Sequence, residues 1–165
     1  LLRRGARRVI SVDVGYGQLE WKLREDPRVT VMERTNVRRL TGRDLLFEPD
    51  LLVADLSFIS LRVALQGLLA AAASIREAVL LVKPQFEAGP EQVRRGGLVR
   101  DPEVHVAVIQ SVTDSFAALG FGALGVARAA VAGRKSGNQE YPLWLVRGAD
   151  TGLDEASIRK VVGDG

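Results

Sequence analysis

Short apolar, β-branched runs recur along this chain, and each of the first four ends on or beside an ionisable residue. Val9–Val14 carries Asp13 near its end, Val29–Glu33 ends in Glu33, Leu51–Asp55 in Asp55 and Ala78–Lys83 in Lys83. Runs of this length and composition read as strands. Helical patterns separate them: a turn and helix over Gly15–Glu25, a short polar helix near Asn36–Leu40, and a Leu- and Ala-rich helix over Leu61–Ala73. Pro84 stops the fourth strand, because its ring nitrogen cannot donate to a ladder. Residues 84–101 form a loop full of Gly, Pro and charge, and Asp101-Pro102 opens a further helix to about Leu119 as N-cap and first helical residue. Two late strands, 122–132 and 141–147, flank a polar turn at 133–138 and should pair as an antiparallel hairpin at the sheet edge. The pattern predicts an α/β fold with a mostly parallel sheet covered on both faces.

Composition narrows the class. The 165 residues suit one domain, read here as 1–148 with a polar tail over 149–165 that forms one weak helix. The net charge is +3, too mild for a basic disordered arm, while the pI near 9.7 leaves nucleic acid open as a partner. The chain has no Cys and one His, His105, which argues against a disulfide scaffold, a metal site and a Cys or Ser-His nucleophile. No apolar run approaches the ~20 residues that span a bilayer, so a cytoplasmic protein is expected. The opening LLRRGARRV resembles a helix end, with Arg3 and Arg4 at the negative pole and Gly5 as C-cap. A helix end implies a helix, so material upstream of Leu1 is expected.

In doubly wound sheets ligands bind beyond the carboxyl ends of the strands. Asp13, Glu33, Asp55 and Lys83 would share that rim. Each has a bland reading: Asp13 and Asp55 as helix N-caps, Lys83 as a solvated strand end. Together they favour a site. Asp13 stands where such folds offer a carboxylate to a ribose hydroxyl pair. Adjacent strand ends lie ~5 Å apart, so Asp55 and Lys83 can meet. Glu140, opening the last strand, reaches the same rim if that strand runs antiparallel. Gly15 and Gly17 allow close backbone approach, but no complete dinucleotide or phosphate-loop motif occurs.

The stretches VISVDVGYGQLEWKLREDPRV, MERTNVRRL, LLVADLSFISL, LLVKPQFEAGPEQVRRGGLVRDPEVH and GNQEYPLWL resemble the TlyA family of bacterial rRNA 2′-O-methyltransferases, also called hemolysin-like, over residues 1 to about 146. That resemblance implies a Rossmann-like, FtsJ-type fold that uses S-adenosylmethionine, with the first strand and its Gly-rich loop expected upstream of Leu1. It implies ribosomal RNA or ribosomal subunits as partner. Of the family's Lys-Asp-Lys-Glu tetrad, Asp55, Lys83 and Glu140 match the last three members, and the first Lys has no match. The resemblance also implies cofactor contacts from Asp13, Arg34, Thr35, Asn36, Asp55 and Leu56, with Ser57 lining the same pocket.

All but four of the 23 basic residues are arginine, which forks onto phosphate better than lysine does. Candidate RNA contacts are Arg94, Arg95 and Arg100 on the loop after Lys83, and Arg134 and Lys135 in the late turn. A further cluster is Arg3, Arg4, Arg7 and Arg8. Tyr16, Phe86 and Tyr141 are candidates to stack on a splayed base. His105 reads as a surface or capping residue. Three other readings remain: a nicotinamide-dependent dehydrogenase, a membrane-acting hemolysin, and a catalytically incompetent RNA-binding fragment.

Overall fold

The computed structural model describes residues 1–130 and 137–163. Six strands and five helices alternate in it. The strands are β1 (Val9–Val12), β2 (Val29–Met32), β3 (Leu51–Ala54), β4 (Glu77–Val82), β5 (Phe121–Val126) and β6 (Tyr141–Arg147). The helices are α1 (Trp21–Arg24), α2 (Leu61–Ala71), α3 (Pro84–Glu87), α4 (Pro102–Ala117) and α5 (Glu155–Gly163). Asp101 caps α4 through the Glu103 amide at 2.9 Å, with Pro102 leading the helix. At the start of the chain a single 3₁₀ turn over Leu2–Arg4 ends on Gly5, whose φ of 95° is left-handed.

The strands form two sheets. β1 and β2 pair in parallel, Val9 beside Val29 through Val12 beside Met32. The larger sheet has the order β3-β4-β6-β5, with β3 and β4 parallel and β6 antiparallel to both its neighbours. The late pair is therefore the antiparallel hairpin expected, with β6 inside and β5 at the edge. A bulge between Ala123 and Gly125 shifts its register.

Among the described residues one face of the larger sheet is covered, not two. Ala78, Leu80 and Val82 of β4 sit opposite Leu145, Leu143 and Tyr141 of β6, and all six are buried. They share one core with Leu65 and Leu69 of α2, Ile109 and Phe116 of α4 and Ile158 of α5. The alternate residues Val79, Pro142 and Trp144 line a shallow hollow of about 290 Å³ on the opposite face. Leu51, Val53 and Leu124 are exposed as well. The helices long enough to cover a sheet all contribute to the same core, and α1 is a single turn packed on β2. The segment over 149–163 carries a helix, as expected, and Leu153, Ile158 and Val162 join the core.

Arg147 ties the sheet to the end of α2. Its guanidinium donates to the Ile75 and Leu69 carbonyls at 2.9 and 2.6 Å and lies 4.3 Å from the Phe121 ring centre. Beside it, a Cβ on Gly122 would run into the Ala149 carbonyl group. Gly122→Ala is expected to destabilise the fold by about 1–3 kcal/mol, the usual range for an overpacked interior. Urea denaturation followed by circular dichroism measures this, and a midpoint equal to that of the unsubstituted protein would refute the close approach.

Candidate active site

The parallel strands β3 and β4 end side by side, and the residues just past their ends are Asp55 and Lys83. Lys83 Nζ lies 2.6 Å from Asp55 Oδ1, 3.3 Å from Ser57 Oγ and 4.0 Å from Glu140 Oε1. Antiparallel pairing of β6 with β4 sets Tyr141 opposite Val82, which delivers Glu140 to the Lys83 rim. Asp55, Lys83 and Glu140 thus converge at one point although 85 positions separate the first from the last. Their exposures differ in a useful way: the lysine is 8% exposed as a residue, whereas the Asp55 side chain is 69% exposed. One carboxylate faces solvent and the ammonium does not.

Lys83 is held from behind. Directly after it, Pro84 opens α3, whose last residue, Glu87, is buried. Glu87 Oε1 accepts the Leu61 amide at 2.6 Å, and Oε2 accepts the Ser60 hydroxyl at 2.7 Å and Arg62 Nε at 3.2 Å. Arg62 also donates to the Glu87 carbonyl and to Ser111 of α4. This knot fastens the turn after Lys83 to the helix after Asp55. The sequence carries no local signal for it, since its partners lie 25 to 27 positions away.

Two non-glycine residues among those described have left-handed backbone, Arg34 at φ 50° and Phe58 at φ 64°. Both follow strand ends at the rim. Such a conformation costs roughly 1–3 kcal/mol and clusters where function demands it. In Phe58 it leaves the ring 91% exposed, 5.2 Å from the half-buried Phe86 ring. Ser57 and Phe58 follow Asp55 closely, and Phe86 lies three positions past Lys83, so this aromatic pair belongs to the loops that carry the site. Phe58 was not singled out from sequence; nothing local in LSFIS signals its backbone.

The smaller sheet contributes a second cluster. Asp13 Oδ1 accepts the Gly15 amide at 2.7 Å, and its other carboxylate oxygen accepts no bond among the described residues. The Asp13 carbonyl accepts the Thr35 amide, and the Gly15 carbonyl accepts the Arg34 amide. Asp13, Arg34 and Thr35 are thereby neighbours. Asn36 follows them, but its side-chain oxygen is spent on capping Arg38. The Arg34 guanidinium sits 4.5 Å from the Tyr16 ring centre. Glu33 binds Arg24 and the Gly17 amide. Burial would raise its carboxyl, but the hydrogen bonds from Arg24 and Gly17 prevail and hold it below its usual range. A hollow of about 430 Å³ lies against Tyr16, Gly17, Leu19, Trp21 and Arg24.

Other expectations resolve differently. Tyr141 is 1% exposed and cannot stack on a base; its hydroxyl is spent on His105, which is buried rather than on the surface. Arg94, Arg95 and Arg100 are exposed on the loop after α3. Arg134 and Lys135 lie outside the described residues. Among the described residues no cluster of His, Asp and Glu could hold a metal, and no helix is long and apolar enough to cross a membrane.

The fold and this lysine between acids at the strand ends define a Rossmann-like domain of the methyltransferase type. The match is direct: the chain belongs to the FtsJ-like methyltransferase family, whose model covers residues 1–147. It is 46% identical over 162 residues to the 16S/23S rRNA (cytidine-2′-O)-methyltransferase TlyA of Mycobacterium tuberculosis, across 98% of this chain and 60% of that protein. It is 43% identical over 166 residues to YqxC of Bacillus subtilis, provisionally named an rRNA methyltransferase, across 98% of this chain and 59% of that one. A solved structure from Lactococcus lactis, provisionally named a hemolysin, superposes with a TM-score of 0.90 at 37% identity, over 99% of this chain and 78% of that one. The chain spans about three fifths of the length of the curated relatives it matches.

Removing the Glu87 carboxylate strands a buried amide, a hydroxyl and a guanidinium together. Glu87→Ala should therefore cost about 1–3 kcal/mol, the penalty for leaving a buried donor unpaired. Chemical denaturation reads this loss; a change too small to resolve would mean that the knot does not hold the rim.

Proposed function

We propose that this domain transfers a methyl group from S-adenosylmethionine to a ribose 2′-hydroxyl of ribosomal RNA, with Asp55, Lys83 and Glu140 as its catalytic residues. The observation that carries the reading is the ammonium of Lys83, sheltered at a strand end and flanked by two carboxylates and a hydroxyl. The names of the rRNA-methylating relatives support the substrate class.

The residues present fit the cofactor. Asp13 keeps one carboxylate oxygen open for a hydroxyl pair, and Arg34, Thr35 and Asn36 stand beside it at the end of β2. Asp55 spends one oxygen on Lys83 and turns an exposed side chain to the rim, with Leu56 next to it. Gln85, two positions past Lys83, has a buried side-chain oxygen with no hydrogen bond among the described residues, an acceptor open to a donor from outside the chain. When bound, S-adenosylmethionine supplies an electrophilic methyl carbon on a sulfonium.

A 2′-hydroxyl is a weak nucleophile, so alignment and proton removal must lower the barrier. Lys83 supplies the alignment: its ammonium donates a hydrogen bond that fixes the hydroxyl oxygen and steadies the negative charge that grows there as the nucleophile forms. The hydroxyl proton leaves through Asp55, whose exposed carboxylate passes it to water. Glu140, better shielded at 12% side-chain exposure, keeps the ammonium aimed at the rim. Phe58, standing on Phe86, offers a face for a base turned out of its stack. Exposed Arg94, Arg95 and Arg100 add salt-dependent attraction to phosphate.

Lys83→Ala in the full-length enzyme is expected to lower methyl incorporation into rRNA by at least about 10²-fold, the scale of a lost donor to a developing oxyanion. Its affinity for S-adenosylmethionine should stay within a few-fold. Incorporation assays and calorimetry read the two quantities, and an active Lys83→Ala enzyme would exclude the role given to this lysine.

A further inference from the structure

His105 is the chain's single histidine and is 6% exposed, on the inward stripe of α4 with Ile109, Val112 and Phe116. A buried imidazole needs partners for both nitrogens. It has them: Nε2 lies 3.0 Å from the Val99 carbonyl oxygen and Nδ1 lies 2.8 Å from the Tyr141 hydroxyl. A carbonyl can only accept, so Nε2 carries the proton. In the Nε2–H tautomer Nδ1 accepts, and the Tyr141 hydroxyl donates to it. Burial pushes the Tyr141 phenol above its usual range despite the opposing charge of Arg128, so the tyrosine keeps the proton it must give. The two rings meet edge to face, at 86° with centres 5.6 Å apart.

Each end of this relay is attached to something used elsewhere. Tyr141 follows Glu140 directly. Val99 ends a tight hairpin in which the Arg94 amide donates to the Leu98 carbonyl and the Gly97 amide to the Arg94 carbonyl. Gly96 and Gly97 turn it, at φ 90° and 78°. Arg94 and Arg95 project from it, exposed. A second fastening reinforces the first. Asn138 accepts the Val99 amide at 2.9 Å and donates to the Gly97 carbonyl at 2.7 Å. Asn138 stands two positions before Glu140. The hairpin carrying the arginines is thus bolted to the segment carrying the inner carboxylate of the site.

We propose that His105 is a positioning residue, whose imidazole locks the Arg94–Arg100 hairpin in register with the Asn138–Tyr141 segment, so that phosphate contact and the reaction centre are set by one rigid unit. In its kinetic consequence this rests on the reaction proposed above; the locking itself does not. RNA held by the hairpin arginines then meets Glu140 and Lys83 at a fixed offset.

Trypsin cleaves after arginine, so the hairpin reports its own opening without any need for catalysis. When closing is fast, cleavage tracks the fraction open. In the full-length protein, His105→Ala is expected to speed cleavage after Arg94, Arg95 and Arg100 by about tenfold, the effect of one lost buried hydrogen bond, with other sites unaffected. His105→Gln can place an amide N–H against the Val99 carbonyl and should return the rate close to that of the unsubstituted protein. Tyr141→Phe keeps the ring packing and removes only the hydroxyl that orients the imidazole; a smaller acceleration confined to the same three sites is expected, and this variant serves if His105→Ala does not fold. In methylation assays His105→Ala should raise the KM for RNA more than it lowers kcat. Unchanged hairpin cleavage in both His105→Ala and Tyr141→Phe would overturn the proposal. So would a His105→Gln protein cleaved as fast as His105→Ala, because the ring would then act by filling space. Altered cleavage in a protein that methylates no RNA would leave the lock standing and sink the proposed reaction instead.

Discussion

An ammonium withdrawn from water must find negative charge and hydrogen-bond acceptors close by. Lys83 is in that position, and much of the molecule answers to it. Asp55 meets it from the neighbouring parallel strand, Ser57 from the loop beyond, and Glu140 from the antiparallel strand on the other side. A centre assembled from three strand ends needs their offsets fixed. The β3–β4 and β4–β6 registers supply this, since a one-residue slip would turn every side chain to the opposite face. The buried faces of Ala78, Leu80, Val82, Tyr141, Leu143 and Leu145 make such a slip costly.

Two polar assemblies carry this order outward. Glu87 joins the turn after Lys83 to the start of α2, and Arg62 extends the join to Ser111 of α4. On the other flank, His105 and Asn138 join the arginine hairpin to the start of β6. Each has a buried polar centre, Glu87 in one and His105 with Asn138 in the other, and hydrogen-bonded networks of this kind rigidify the elements they join. Beside the first, on Phe58 and on Phe86 next to Glu87, stands an aromatic pair with one ring in open solvent on a strained backbone, a costly arrangement unless something is to rest on it.

The strands and their rim residues were legible because a strand needs only local pattern, and parallel pairing puts successive carboxyl ends on one rim. Asp101-Pro102 marked the start of α4 for an equally local reason. Of the turn and helix expected over Gly15–Glu25, the helical part is only Trp21–Arg24, because the glycine turn spends its backbone on Asp13, Glu33 and Arg34. Coverage of both sheet faces failed because which face a helix packs on is a tertiary choice that no single segment encodes. His105 was misplaced at the surface although a signal existed: it falls at i with Ile109, Val112 and Phe116 at i+4, i+7 and i+11, the spacing of a buried stripe. Glu87 and Phe58 offered no such signal, one defined by distant partners and the other by a single dihedral angle.

The central claim is that the lysine at the strand ends directs methylation to a ribose oxygen. A 2′-O-methyl group removes the nucleophile that alkali needs to cleave the adjoining phosphodiester. The direct measurement is therefore to incubate the full-length enzyme with ribosomal subunits and methyl-labelled S-adenosylmethionine, then hydrolyse the RNA in alkali and separate the products. The label should appear in alkali-resistant dinucleotides. Label recovered in mononucleotides, with the methyl group on a base, would contradict the account.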